Sequence, residues 1–307
     1  MKKISIIGAG NVGATSALRI AQEGLGKVML VDVVKGLAKG KAFDLRDARN
    51  LLGIDYDIDG SDDLNDVRDS DIVVVTAGLA RKPGMTREEL ILKNAAILKS
   101  VCLKIKESAP QAVLIIVTNP LDIMTNYALK ITGFKPDKVF GMGISLDAAR
   151  FANIIAEELK VNVCDVNALV IGSHGEGMLP LPGLSGVKGA FLDKAADKNK
   201  ISQMVERTVS RGAEIVGLLG SGSAYYAPSA AISALVKAVA LDESRQIGVC
   251  ARLNGEYGIK DVCIGVPCII GKEGISSIKE LKLTQEESAV LKKSAETIRE
   301  LASKLPL

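Results

Sequence analysis

The chain has 307 residues, 48% of them hydrophobic, with 39 Lys and Arg against 36 Asp and Glu, enough apolar material for one large domain or two coupled ones. A net charge of +3, without a basic stripe interleaved with aromatics, excludes a dedicated nucleic-acid binder. Five cysteines without a CxxC pair read as buried free thiols in a reducing cytosol, and beside a single histidine they leave no zinc site.

The start, "MKKISIIGAG", has the basic head of a signal peptide, but its apolar run stops at Ile7, short of the roughly 7–15 residues such a segment needs. Near-continuous β-branched runs follow at 3–8, 27–32, 71–78 and 112–120, with 134–141 as a candidate sixth strand. Runs without polar alternation suit strands buried on both faces. Helical patterns at 11–23, 35–50 and 88–108 lie between them. Strand and helix in series predict an α/β fold with a Rossmann doubly wound parallel sheet. The acidic stretch 57–71 reads as a solvated edge and loop.

Past residue 145 the pattern changes to α+β. A helix over 145–159 precedes "VNALVIG", long helices follow near 199–219 and 226–240, hairpins are expected around "NGEYG" and "GKEG", and an amphipathic helix spans 284–304. Residues Ile215 to Val236 carry no charge, but "GSGSAYYAPS" interrupts them. They read as a buried helix, a Gly-rich break and a second buried helix, not a membrane span. The expected division is a dinucleotide-binding domain over 1–144 and a substrate-binding, catalytic α+β domain over 145–307.

"GAGNVG" (Gly8, Gly10, Gly13) follows the first strand and opens the first helix. Glycines there let backbone N–H groups approach a pyrophosphate at the positive end of a helix. Asp32 ends the second strand 19 residues past Gly13. A carboxylate at that place accepts from both ribose hydroxyls and repels a 2′-phosphate, so NAD is favoured over NADP.

The only histidine, His174, lies in "VIGSHGEGMLPL" just past an apolar run. In "GISLDAAR", Asp147 and Arg150 share one helix face. They form either a surface salt bridge or a divided pair, with Asp147 turned to His174 and Arg150 to a substrate carboxylate. Spacing leaves both open. "TAGLARKPGMTREEL" (76–90) is either an exposed loop or a lid carrying arginines over an anion.

"GAGNVG", "TAGLARKPGMTR", "VTNPLD", "GISLDAARF" and "IGSHGEGMLPL", in this order, make the chain resemble the lactate/malate dehydrogenase family over nearly its whole length. The resemblance implies a reversible, NAD-dependent oxidation of (S)-malate to oxaloacetate, with lactate oxidation or a non-catalytic NAD sensor as alternatives. It implies that His174 is the proton acceptor–donor, Asp147 its orienting carboxylate, Arg150 the fork on the C1 carboxylate and Arg87 the lid arginine that polarises the carbonyl. Arg81 is the residue expected to pair with a second carboxylate, where lactate enzymes commonly carry Gln. Asn119 is expected to touch both substrate and cofactor. Gly8, Ala9, Gly10, Asn11, Val12, Gly13, Asp32, Asn94, Val117 and Thr118 complete the expected cofactor contacts, and Ala224 lies where lactate enzymes carry a Thr. The resemblance further implies a cytoplasmic homodimer or homotetramer acting on a small molecule, with no nucleic-acid, membrane or metal partner. The Asn119–Pro120 bond is expected to be trans, as most X–Pro bonds are.

Overall fold

In a computed structural model, described over residues 1–79, 84–175 and 177–306, the β-branched runs of the first half become parallel strands. In chain order these are β1 (Lys3–Ile7), α1 (Asn11–Gln22), β2 (Lys27–Val31), α2 (Leu37–Leu52), β3 (Ile58–Ser61), β4 (Ile72–Val75), α3 (Arg87–Ser108), β5 (Val113–Ile116), α4 (Leu121–Thr132) and β6 (Val139–Gly141). Their order in the sheet is β3-β2-β1-β4-β5-β6. The order reverses between β1 and β4, so the C-terminal ends of those strands bound a crevice. All four residues of β4 and of β5 are buried, because both sheet faces are covered. Ser5, the polar residue of β1, is buried only because its hydroxyl meets that of Ser70 at 2.7 Å.

The second half runs α5 (Ile144–Leu159), β7 (Val166–Asn167), β8 (Val170–Gly172), β9 (Met178–Pro180), β10 (Gly186–Val187), β11 (Ala190–Phe191), α6 (Leu192–Ala195), α7 (Lys198–Leu219), α8 (Tyr226–Ala240), β12 (Arg245–Asn254), β13 (Lys260–Gly271), β14 (Gly274–Ile278) and α9 (Gln285–Ser303). The parallel sheet continues into it: β6 pairs antiparallel with β12 at Gly141 and Cys250, β13 follows, and β13 pairs with β8 at Gly265 and Gly172. The hairpins expected around "NGEYG" and "GKEG" are the β12–β13 and β13–β14 connections. A separate small sheet is ordered β11-β10-β7. Helix α8 is seated on α1, where Arg19 Nε donates to Ser229 Oγ at 2.9 Å and Glu23 meets Lys237 at 3.2 Å.

Four sequence expectations change. The acidic stretch contains strand β3, whose Ile58, Gly60 and Ser61 are buried, because α2 lies directly over it: a Cβ on Gly60 would stand 2.3 Å from the Ala38 carbonyl oxygen. The first half of the uncharged 215–236 segment is not buried. Helix α7 rests on α5 by a narrow stripe, and Leu218 at its end is 82% exposed, whereas α8 is buried as expected. Cys164 is exposed, while the other four cysteines are buried; all five are free. The Asn119–Pro120 bond is cis. Helix α4, whose residues are buried around almost the whole circumference, had no counterpart in the sequence reading.

Candidate active site

The β1–α1 turn is built by close approach. Gly8 has φ +108°, and a Cβ on Gly13 would lie 1.8 Å from the Gly8 carbonyl oxygen. Gly10 has open space around it and caps α1 without a side chain, so the first-turn N–H groups of Asn11, Val12 and Gly13 remain available to an anion. Asp32, just past β2, accepts the N–H of Ala9 at 2.6 Å and of Val34 at 2.9 Å. Lys41 of α2 donates to the Ala9 carbonyl at 2.6 Å. The cradle that a pyrophosphate needs is present, with a carboxylate at its ribose end.

His174 follows β8, and its Nδ1 lies 2.7 Å from Asp147 Oδ2. The other Asp147 oxygen is 3.2 Å from Arg150 Nη1. Asp147 has 0% exposed side chain, Arg150 12% and His174 19%, so this is not a surface salt bridge. Asp147 is turned to His174 through one carboxylate oxygen, and through the other it holds Arg150 in an ion pair that is buried, not on the surface. The helix α5 carrying Asp147 approaches the histidine because residue 143 is glycine: a Cβ there would meet Leu121 Cδ2 at 2.2 Å and His174 Cβ at 3.2 Å. Burial alone pushes the imidazole pKa down. The hydrogen bond and charge of Asp147, helped by the charge of Asp122, outweigh it and hold the pKa above the ordinary 6.5, with Arg150 opposing. Among the described residues the buried Arg150 Nε has no hydrogen-bond partner, so that one N–H of the guanidinium lacks an acceptor while Nη1 is held by Asp147.

Two cavities meet at this histidine. One, of 690 Å³, is lined by Arg87, Asn119, Asp122, Ser173 and residues of α9; the other, of 370 Å³, by Val12, Asn94, Val117, Thr118, Asn119 and Ala224, among others. His174, Asn119 and Leu90 line both. Arg150 is not part of either wall. Arg87 is exposed at the first position of α3, which a reciprocal Thr86–Glu89 capping box starts, and it makes no ion pair among the described residues. Asn94, 1% exposed, spends its amide on the scaffold: Nδ2 donates to the carbonyls of Asn119 at 2.7 Å and Leu79 at 3.2 Å, and Oδ1 accepts from Leu79 N–H. It ties the root of the 78–90 loop to the end of β5. Arg81, Lys82 and Pro83 lie outside the described residues.

Residues 2–141 match the model of the lactate/malate dehydrogenase NAD-binding domain, and residues 144–305 that of the lactate/malate dehydrogenase α/β C-terminal domain. The chain belongs to the lactate/malate dehydrogenase family. It is 50% identical to a malate dehydrogenase of Methanosarcina mazei, covering 100% of both chains. It is similar to the apo malate dehydrogenase of Picrophilus torridus, with 41% identity, a TM-score of 0.95 and 98% and 96% of the two chains covered. The lactate dehydrogenase of Cryptosporidium parvum, solved with lactic acid and nicotinamide adenine dinucleotide, has 35% identity and a TM-score of 0.95, with 99% of each chain covered.

In this family member NAD is the cofactor of the first half, and the glycine cradle with Asp32 fits it. Among the described residues no cluster of three or more His, Cys, Asp or Glu is arranged to hold a metal, and no helix is long and apolar enough to cross a membrane. Sequence reasoning assigned nothing to Asp122 of "VTNPLD". Its Oδ2 accepts Ser173 Oγ at 2.9 Å and the His174 backbone N–H at 2.8 Å. Burial raises its pKa against the hydrogen bonds and charge that lower it. No spacing rule finds this contact, because 52 residues separate Asp122 from His174.

Proposed function

We propose that this protein is an NAD-dependent malate dehydrogenase that interconverts (S)-malate and oxaloacetate. The observation that carries the reading is the buried Asp147 carboxylate 2.7 Å from His174 Nδ1. Nε2 is then the ring nitrogen without a hydrogen bond among the described residues, on a side chain that lines both cavities. Bound NAD supplies the hydride acceptor at C4 of its nicotinamide. As malate loses hydride from C2, neutral His174 takes the hydroxyl proton and Asp147 stabilises the imidazolium. In reduction, protonated His174 gives that proton to the carbonyl of oxaloacetate. Such acid–base help is worth about 10²–10⁴ in rate.

Arg150 matches a carboxylate with its planar fork, and its unpartnered Nε awaits an acceptor. Arg87 offsets charge developing on the reacting oxygen, so it acts mainly on kcat. Closure of the 78–90 loop excludes water and strengthens these contacts. Arg81 pairs with the second carboxylate. Asn119 contacts both substrate and cofactor. Gly8, Ala9, Gly10, Asn11, Val12, Gly13, Asp32, Asn94, Val117 and Thr118 line the dinucleotide site.

Malate is favoured over lactate by Arg81 in the sequence and by relatives named malate dehydrogenase at 45–50% identity. The lactate reading keeps a footing in the equal TM-score of the Cryptosporidium enzyme. Oxidation of NADH followed by absorbance decides: the expectation is fast turnover with oxaloacetate, weak turnover with pyruvate and weak use of NADPH. Preference for pyruvate assigns the enzyme to lactate. We further read residues 1–144 as the dinucleotide-binding domain and 145–307 as the catalytic one, in a cytoplasmic homodimer or homotetramer without nucleic-acid or membrane partners. The free cysteines support a reducing compartment. Exposed apolar side chains such as Phe43, Leu51 and Leu218 support self-association.

A further inference from the structure

We infer that Asp122 is a positioning residue for the acid–base histidine: its buried carboxylate anchors the backbone at 173–174 and supplies the second negative charge behind the imidazole. The inference rests on His174 being the acid–base group.

Asp122 is the second residue of α4, in the first turn, where the helix dipole favours an anion. It is 4% exposed. Both of its hydrogen bonds, from Ser173 Oγ at 2.9 Å and His174 N–H at 2.8 Å, fall on Oδ2. Oδ1 has no hydrogen-bond partner. The buried Cys250 thiol, a weak donor, is the remaining polar neighbour of the carboxylate. A proton on Oδ1 would find only the Cys250 sulfur, a weak acceptor, and two donors already face Oδ2, so the hydrogen bonds favour the ionised form against the burial that raises its pKa.

A neutral amide oxygen would accept the same two hydrogen bonds with a smaller desolvation cost, but its NH2 would stand at the buried Oδ1 position without a strong acceptor. The carboxylate avoids that and adds charge. That charge has a use because Asp147 is shared. Arg150 sits 3.2 Å from its Oδ1 and offsets its negative charge. When His174 becomes an imidazolium, Asp122 adds a second negative charge to that of Asp147, which Arg150 partly offsets.

The other charged groups around the cavity are cations, Arg87 at the start of α3 and Lys293 on α9, and neither can take this role. Glu176, two residues along the chain, lies outside the described residues. The raised imidazole pKa, to which Asp122 contributes, agrees with the geometry.

The chain has one histidine, so its ring reports without assignment. The test titrates the full-length protein, with NADH bound and ¹³C at the imidazole Cε1, by NMR. Asp122→Asn keeps one oxygen to accept both hydrogen bonds and removes the charge, so the midpoint falls by about one pH unit, as expected for loss of a nearby opposite charge. Ser173→Ala deletes one donor and keeps the charge, so its midpoint stays with the wild type. The pH limb of oxaloacetate reduction moves with the NMR midpoint in each variant. A wild-type midpoint in Asp122→Asn, or an equal fall in Ser173→Ala, overturns the inference. If Asp122→Asn does not fold, Asp122→Ala carries the same expected fall. His174→Asn separates the two ideas. If that variant keeps turnover, the acid–base reading fails; if it is inactive while Asp122→Asn titrates as wild type, the positioning role alone fails.

Discussion

His174 Nδ1 and Asp147 Oδ2 lie 2.7 Å apart, and the carboxylate has no solvent-exposed surface. That contact favours the tautomer with the proton on Nδ1, beside Asp147, and the proposed function then has Nε2 exchange a proton with substrate. Asp147→Asn keeps the shape and loses the charge. Steady-state assays should show kcat lower by about 10²–10⁴, with NADH affinity near wild type. Turnover within a few-fold of wild type would remove Asp147 from the mechanism.

The same contact makes stability depend on pH. The folded-state pKa of His174 is raised above 6.5, because Asp147 and Asp122 together outweigh burial and Arg150. The stabilisation is therefore fully present below about 6.5, the unfolded value, and is lost as pH rises through the folded pKa. Urea unfolding of wild type and His174→Gln should show a wild-type advantage that shrinks across this window. An advantage that grows with pH contradicts the sign of the shift.

Arg87 stands exposed and without an ion pair among the described residues, so little folding energy depends on it. Arg87→Gln should leave the urea midpoint nearly unchanged, within about 0.5 kcal/mol. It should lower kcat with oxaloacetate by about 10²–10³, the range for one lost transition-state donor. Equal losses of stability and rate would indicate a structural residue.

In the proposed function Arg81 selects the acid. With pyruvate, its guanidinium would be desolvated under the closed loop without a partner, at a cost of a few kcal/mol, roughly. Arg81→Gln should lower kcat/KM for oxaloacetate sharply and raise relative use of pyruvate. An unchanged ratio of the two removes Arg81 from the site.

Gly13→Ala drives a methyl to 1.8 Å from the Gly8 carbonyl oxygen, and backbone on backbone cannot yield as a side-chain tip does. The turn must open. Titration of NADH fluorescence should show markedly weaker binding, with stability lower by about 1–3 kcal/mol. The absence of tryptophan leaves that signal uncontaminated. Wild-type affinity would mean that the cradle does not hold the dinucleotide.

Local chemistry made most elements legible. β-branched runs with both faces buried read directly as β1, β2, β4 and β5, and helices α1, α3, α5, α8 and α9 begin and end within two residues of the expected ranges. The glycine turn and Asp32 were visible because their spacing is local to one strand–helix–strand unit. Helix α4 went unread in the stretch after β5, and strand β3 was hidden by the acids around it, of which Asp59 alone lies within it.

What the sequence determined by itself is therefore the set of chemical groups and the secondary structure that carries them, because periodicity and turn chemistry act between neighbours. The tertiary structure decided which groups meet. Asp147, already beside Arg150 on its own helix, reaches His174 because α5 can approach the end of β8 over Gly143, and Asp122 supports the histidine from 52 residues away. Contacts of that kind come from sheet order and close packing. They stabilise a buried charge only where its partners arrive together, and no pattern along the chain encodes that arrival.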